Sequence, residues 1–85
     1  MTFTVVWLSS AQGHLANIWT VGPDRTAITK AANSIDRLLR QDPFGYSESR
    51  AGNERIMFVT PLGVSYDVIE EDRLVTVWAV WKIKK

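Results

Sequence analysis

The spacing of apolar residues changes twice along this chain, and that change restricts the possible folds more than any other feature. Residues 2–8 alternate with a period of two, with Phe3, Val5 and Trp7 on one side, as in a strand buried on much of both faces. Apolar residues between 15 and 39 recur at helical spacing, and those from 64 onward return to a period of two. A strand followed by helices and then by strands predicts an α+β fold.

The helical part of the pattern divides into two helices. Ser9 and Gln12 match a capping box, and Gly22-Pro23 ends the first helix, whose apolar residues are Leu15, Ile18 and Trp19. Asp24 precedes the second helix as a candidate N-cap, and Asp42-Pro43 follows its end. The second apolar stripe consists of Ile28, Ala31, Ala32, Ile35, Leu38 and Leu39. The short Gly-Pro connection predicts an antiparallel helical hairpin.

The second half of the chain reads as a loop and three strands. Residues 42–54 are loop-like, and strands are predicted over 55–60, 64–69 and 74–83 as an antiparallel meander. In the last strand, simple alternation places Val75, Val77, Ala79 and Trp81 on one face and Leu74, Thr76, Trp78 and Val80 on the other. We therefore expect one domain over residues 1–85, with the order β-α-α-β-β-β and an antiparallel sheet covered on one face by the helical hairpin.

Composition excludes several kinds of site. The 85 residues include no cysteine and one histidine, His14, so disulfides, thiolate zinc sites and histidine-based triads are excluded. We expect neither a metal nor another cofactor. The formal net charge of +1 is too small for a general polyanion-binding protein. No basic signal region and no long apolar stretch is present, so we expect a cytoplasmic protein that does not enter a membrane.

The cationic residues of the second half are the candidate site. We expect the ends of the strands to bring them together at the rim of the sheet, where they would bind RNA phosphate or an acidic partner. This set is Arg50, Arg55, Lys82, Lys84 and Lys85. Tyr66 and Trp81 are candidates to stack on bases. Scattered solubilising charge and buried aromatic rings are the alternative interpretation, and four tryptophans in so short a chain also favour a surface that a partner buries.

From residue 2 to residue 83 the chain resembles the RelE/ParE family of toxins from type II toxin–antitoxin modules. The opening Val-Val-Trp-Leu-Ser-Ser-Ala-Gln-Gly-His-Leu-Ala-Asn-Ile-Trp resembles the family's first strand and helix. The segments Ala-Ala-Asn-Ser-Ile-Asp-Arg-Leu-Leu-Arg-Gln-Asp-Pro, Pro-Leu-Gly-Val-Ser-Tyr-Asp-Val and Val-Thr-Val-Trp-Ala-Val-Trp resemble its second helix, a middle strand and its last strand. The resemblance implies a growth-inhibiting protein that an antitoxin neutralises.

The resemblance implies two mechanisms, of which cleavage of mRNA is the preferred one and inhibition of gyrase the alternative. Members similar to RelE cleave mRNA on the ribosome without a metal, because the 2′-hydroxyl of the RNA attacks. In that case Arg55 and Lys82 would be catalytic, and the RNA-binding residues would be Arg50, Tyr66, Trp81, Lys84 and Lys85. This chain has Gly63 where such nucleases commonly carry arginine. Members similar to ParE inhibit DNA gyrase by protein binding. A toxin fold that has lost its activity is the third alternative.

Overall fold

The computed structural model describes residues 2–45, 47–49 and 52–83, which form two helices and a five-stranded sheet. The elements in chain order are β1 (Thr4–Trp7), α1 (Ser9–Val21), α2 (Arg25–Gln41), β2 (Ser47–Ser49), β3 (Glu54–Val59), β4 (Leu62–Ile69) and β5 (Leu74–Lys82). The predicted α+β class, both helices and all the predicted strands are confirmed. The predicted loop contains one further strand, β2, which pairs antiparallel with β3.

The sheet has the order β1-β5-β4-β3-β2 and is mixed. Strands β2 to β5 are antiparallel neighbours, whereas β1 runs parallel to β5, with Val5 opposite Val75. The expectation of a purely antiparallel sheet is therefore wrong. The helical hairpin carries the chain away from β1, and the later meander returns beside it in the same direction. The first and last strands are consequently direct neighbours.

Strand β1 lies at an edge of the sheet and is buried on one side only. Val5 is buried, whereas Thr4 and Val6 are exposed. The expectation of burial on much of both faces is wrong, because no second layer covers the far side of this edge strand.

Helix α2 supplies most of the helical contribution to the core. Ile28, Ala31, Ile35 and Leu39 are buried at the spacing of one helical face. They share a core with side chains from the sheet, which are Val5, Met57, Leu62, Val64, Tyr66, Val68, Val75, Val77 and Val80. Burying each isoleucine or leucine contributes about 1.5–3 kcal/mol to stability. The stripe predicted for α2 therefore attaches the helix to the sheet.

Helix α1 is held differently, because Ala11 is its only buried residue. The chain leaves β1 at Leu8, whose N–H donates to the Val77 carbonyl at 2.9 Å, and α1 then packs against β5. The predicted capping interactions do not form. Leu8 is the N-cap of α1. Asp24, at the N-cap of α2, makes no side-chain cap hydrogen bond, and its carboxylate accepts a hydrogen bond from Lys82.

A β-bulge in β5 changes which residues face the helices. Ser65 pairs with Ala79 and Tyr66 pairs with Val77, so Trp78 is an extra residue without a partner on β4. Val75 and Val77 before the bulge and Val80 after it all enter the core. The simple alternation expected for this strand is therefore wrong, since the inserted residue shifts the pattern by one position.

Candidate functional site

One side of the sheet is not covered by the helices, and we call it the open face. Strand residues alternate, so the neighbours of the buried Met57, Val64 and Val77 point away from the core. The open face of β3, β4 and β5 is formed by Glu54, Ile56, Phe58, Gly63, Ser65, Asp67, Ile69, Leu74, Thr76, Ala79 and Trp81.

Two aromatic rings form a step at one end of this face. Phe58 pairs with Gly63, and Gly63 pairs with Trp81, so the three residues lie side by side on adjacent strands. The rings of Phe58 and Trp81 meet edge to face, with their centroids 6.2 Å apart. A Cβ at Gly63 would lie 2.7 Å from the Trp81 ring. Glycine thus lets the indole lie against the strand, and we call Phe58, Gly63 and Trp81 the aromatic step.

Carboxylates occupy the other end of the open face. Glu54 and Asp67 lie directly opposite each other in the register, are both half-buried and form what we call the acidic pair. Glu48 lies on the same face, opposite Ile56. Among the strand residues that the structure describes, every charged side chain on this face is a carboxylate. Glu54 and Phe58 are four positions apart on β3, which corresponds to about 13 Å.

Arg55 lies on the helix-covered side of the sheet, opposite Tyr66. Its Nε donates to Ser47 Oγ at 2.7 Å, and its guanidinium lies 5.0 Å from the centroid of the Phe44 ring. A cation held by a hydroxyl and an aromatic face is well satisfied. Arg55 therefore attaches β2 and the turn before it to β3, and its side chain is directed away from the open face.

Tyr66 is fully buried on that same side. Its hydroxyl donates to the Pro43 carbonyl. Burial raises the pKa of Tyr66, while hydrogen bonding with Ser47 and the positive charge of Arg55 act in the opposite direction. The ring offers no surface to a base, which corrects the expectation that Tyr66 stacks on RNA.

Lys82 lies far from Arg55. Lys82 pairs with Leu62 and Arg55 with Tyr66, positions four residues apart on β4, or about 13 Å along the strand. Lys82 Nζ donates to Asp24 Oδ1 at 3.3 Å, in an exposed ion pair between β5 and the start of α2. The expected cluster of Arg55 and Lys82 at one rim is therefore wrong, because four positions along β4 separate their pairing partners.

The remaining candidates are divided between the open face and the undescribed positions. Trp81 is on the open face, within the aromatic step. Arg50, Lys84 and Lys85 lie outside the described residues, so their expected phosphate-binding role stays a prediction. The sequence reasoning missed Phe58, Glu54 and Asp67. The signal that could have found two of them is the alternation of residues 54–59, which places Glu54 and Phe58 on one side of the strand and Arg55 on the other.

A second surface lies between the helices, and we call it the helical groove. This groove of about 680 Å³ is lined mainly by apolar side chains, including Trp7, Leu15, Trp19, Ile28 and Ala32. Trp19 is 41% exposed, its Nε1 donates to Thr29 Oγ1 at 3.0 Å, and Arg25 lies 4.6 Å from the centroid of its ring. An exposed, oriented tryptophan beside an apolar groove is typical of a protein-binding surface.

Residues 2–45, 47–49 and 52–83 contain no group of three histidine, cysteine, aspartate or glutamate side chains placed to hold a metal ion. No helix among them is long and apolar enough to cross a membrane.

Comparison with known proteins gives matches in structure but not in sequence. No protein-family model and no curated protein matches the sequence. The RelBE2 toxin–antitoxin complex of Mycobacterium tuberculosis contains a chain with 15% identity and a TM-score of 0.78, and the match covers 96% of this chain and 99% of that one. The isolated RelE toxin of E. coli matches with 15% identity and a TM-score of 0.70, over 98% and 86% of the two chains.

A third similar structure is the chromosomal ParDE toxin–antitoxin system of P. aeruginosa, with 14% identity, a TM-score of 0.73 and coverage of 96% and 97%. All three matches extend over almost the whole of this chain. The chain therefore has the RelE/ParE toxin fold, as the sequence resemblance implies.

Proposed function

We propose that this chain is the toxin of a type II toxin–antitoxin pair and that it inhibits growth by binding a protein target. The toxin role is supported by a fold shared from end to end with chains of RelBE2, RelE and ParDE. The choice of protein binding over RNA cleavage rests on one observation. The described charged side chains of the open face are carboxylates, including the acidic pair of Glu54 and Asp67.

Cleavage of RNA by its own 2′-hydroxyl needs positive charge at the phosphate. Negative charge develops on the phosphate oxygens in the transition state, and fixed cations or hydrogen-bond donors lower its energy. A carboxylate face instead repels the RNA backbone. Arg55, which the nuclease hypothesis requires, is held by Ser47 and Phe44 on the other side of the sheet. Lys82 is paired with Asp24.

In the protein-binding hypothesis no residue is catalytic. Phe58 and Trp81 contact the target, Arg55 and Tyr66 support the segment before β3, and Lys82 attaches β5 to the helical layer. DNA gyrase is the target that the resemblance to ParE implies. The antitoxin covers the helical groove, where Trp19 and the other apolar side chains would contact the apolar face of an amphipathic antitoxin segment.

The alternative, a ribosome-dependent nuclease, would have to take its cations from Arg50, Lys84 and Lys85 and stack Trp81 on a base. Inducing the wild-type chain in cells and mapping mRNA ends distinguishes the two mechanisms. We expect growth arrest with intact mRNA, together with inhibition of supercoiling by purified gyrase. Rapid mRNA cleavage on ribosomes that disappears in the R50A/K84A/K85A variant would overturn the protein-binding mechanism. The D72N variant, in the turn before β5, serves as a charge-altered control.

The toxin role itself has a separate test. Co-expression of the product of an adjacent gene should restore growth and bind the purified chain. A chain that never arrests growth and that no neighbouring gene product binds would contradict the toxin assignment, whichever mechanism was assumed.

A further inference from the structure

We propose that the open face binds a cationic segment of the target protein, with an apolar side chain on the aromatic step and an arginine or lysine at the acidic pair. The inference rests on the proposed protein-binding function and adds the chemistry of the partner segment. The evidence for it is the residue composition of the open face and the distance between the aromatic step and the acidic pair.

The aromatic step provides an anchor point for an apolar side chain. Phe58 is 51% exposed, although it is a large apolar residue. Trp81 supports it edge to face, and the indole is itself held against Gly63. Rigid aromatic rings lose little conformational entropy on binding and provide large contact areas. A partner side chain seated here would shield Phe58 from water.

The acidic pair determines the charge of the partner. Carboxylates directly opposite each other on adjacent strands repel, and Glu54 and Asp67 are both half-buried, which limits screening by water. A guanidinium or ammonium group placed between them would remove that repulsion and form two charge-assisted hydrogen bonds. A nucleic acid would increase the repulsion. Charge complementarity therefore favours a cationic protein segment.

The distance between the two ends specifies a spacing. The aromatic step and the acidic pair are separated by about 13 Å, and the middle of this face is formed by Ile56, Ser65 and Ala79. Ser65 is small and buried and Ala79 is small and half-buried, so neither side chain projects far from the sheet between the two ends. An extended segment spans this distance with an apolar and a basic residue four positions apart, and a helix does so over about nine positions.

Peptides of defined charge test the proposal directly. Two ten-residue peptides in a serine–threonine background would carry leucine and, four positions later, either arginine or glutamate. Titrating each into the 15N-labelled full chain follows binding through amide resonances. We expect the arginine peptide to bind roughly tenfold more tightly, as two surface charge pairs would give. Its shifts should centre on Ile56, Phe58 and Trp81.

Variants connect that preference to the acidic pair. E54Q/D67N should reduce the tenfold preference to near equality, whereas E70Q/E71Q, with the same charge change in the turn before β5, should retain it. The proposal would be overturned if the wild-type chain bound the arginine and glutamate peptides equally well, or if the chemical shift changes were confined to the helices. It would also be overturned if the open face mediated self-association, or if the chain bound a single-stranded RNA more tightly than the arginine peptide. The comparison of the two peptides on the wild-type chain tests the proposal even if a variant does not fold.

The growth assay separates this inference from the proposed function. Growth arrest with no charge preference among the peptides would overturn the surface assignment and leave the toxin role intact. A clear preference without growth arrest would support the surface and contradict the toxin role.

Discussion

The helical groove and the open face belong to different layers of this fold, and the charges beside them differ. Helix α2, which forms one wall of the groove, carries Arg25, Lys30, Arg37 and Arg40 against the single carboxylate of Asp36. The described charged residues of the open face are carboxylates. The groove itself is lined mainly by apolar side chains, with Asp36 as its charged lining residue, so the cations of α2 lie beside the groove rather than in it. Both surfaces expose a large aromatic side chain and therefore share the means of anchoring a partner.

This difference shows how a chain with a net charge of +1 can have selective surfaces. The total charge conceals local differences, because helix α2 carries four cations against one carboxylate while the described charged side chains of the open face are carboxylates. A partner held mainly by apolar contacts in the groove and a cationic segment on the open face would not compete for the same residues. The comparison thus predicts separable binding events, and substitutions on one surface should leave the other unchanged.

The largest expected effect is a selective loss of binding after truncation of one anchor. Trp19→Ala should weaken antitoxin binding roughly 30-fold, an effect of about 2 kcal/mol that is typical of an aromatic hot spot, and should leave growth inhibition intact. Calorimetry with the purified antitoxin measures the first effect, and induction without the antitoxin measures the second.

Phe58→Ala is the matched substitution on the other surface. It should abolish growth arrest at moderate induction while antitoxin affinity stays within about twofold of wild type, as for a residue outside an interface. Loss of both activities in either variant, with folding intact, would show that the two surfaces are one interface.

The next effect concerns the aromatic step alone. Gly63→Ala would place a Cβ 2.7 Å from the Trp81 ring and displace it, and overpacking of this kind lowers the free energy of unfolding by about 1–3 kcal/mol. Urea denaturation measures the change. Because the clash needs the indole, G63A/W81L should lose less stability than the sum of the G63A and W81L effects. Additive losses would mean that the ring does not lie against Gly63.

A smaller effect is expected beneath the two surfaces, at Tyr66. Tyr66→Phe removes the hydroxyl that donates to Pro43, which should lower the free energy of unfolding by about 1 kcal/mol. Because burial raises the pKa of Tyr66 above its ordinary value of 10.0, the folded state favours the neutral, protonated hydroxyl. This stabilisation is fully present below pH 10 and is lost as the pH rises through the higher pKa of the folded state.

Denaturation between pH 8 and pH 11 tests the sign of that dependence. The wild-type chain should lose stability more steeply than Y66F above pH 10, whereas identical slopes would place the phenol in water. Neither surface should change its partner preference, since Tyr66 contacts neither of them.

The smallest effect is expected at the ion pair that joins the two layers. Asp24→Asn removes the exposed pair with Lys82, which should lower the free energy of unfolding by less than about 0.5 kcal/mol. Raising the salt concentration should reduce the difference between D24N and wild type. A loss above 1 kcal/mol that salt does not affect would show that the pair is more important than its exposure indicates.

Local patterning predicts the elements of this fold better than it predicts their pairing. The helical spacing through Ile28 and Leu39 and the alternation through Val64 and Val68 identify their elements, because each pattern reflects burial on one side of a regular structure. Strand β2 escaped prediction because Ser47 and Ser49 contain no apolar signal. Its formation depends on hydrogen bonds to β3, which only the assembled sheet provides.

The candidate site was harder to predict because it depends on face and register. Arg55 and Phe58 belong to one short strand, yet they are on opposite sides of the sheet. The bulge at Trp78 also shifts the later residues of β5 to the side opposite to the one that simple alternation predicts. Residue type identified Trp81 and Lys82 as chemically interesting, but the distance between Lys82 and Arg55 follows from strand pairing that no local motif encodes.

The parallel pairing of β1 with β5 also has a consequence for the order of events during synthesis. Strand β1 and helix α1 are made early, yet both pack against β5, the last element described. Until β5 leaves the ribosome, Val5 and Ala11 have no strand to cover them. The contact between β1 and β5 joins residues that are far apart in the sequence. Helix α2 can form within the nascent chain, but closure of the sheet waits for β5. A nascent chain that has not yet released β5 therefore has neither the completed aromatic step nor the β5 support of α1, and both binding surfaces mature together once β5 has left the ribosome.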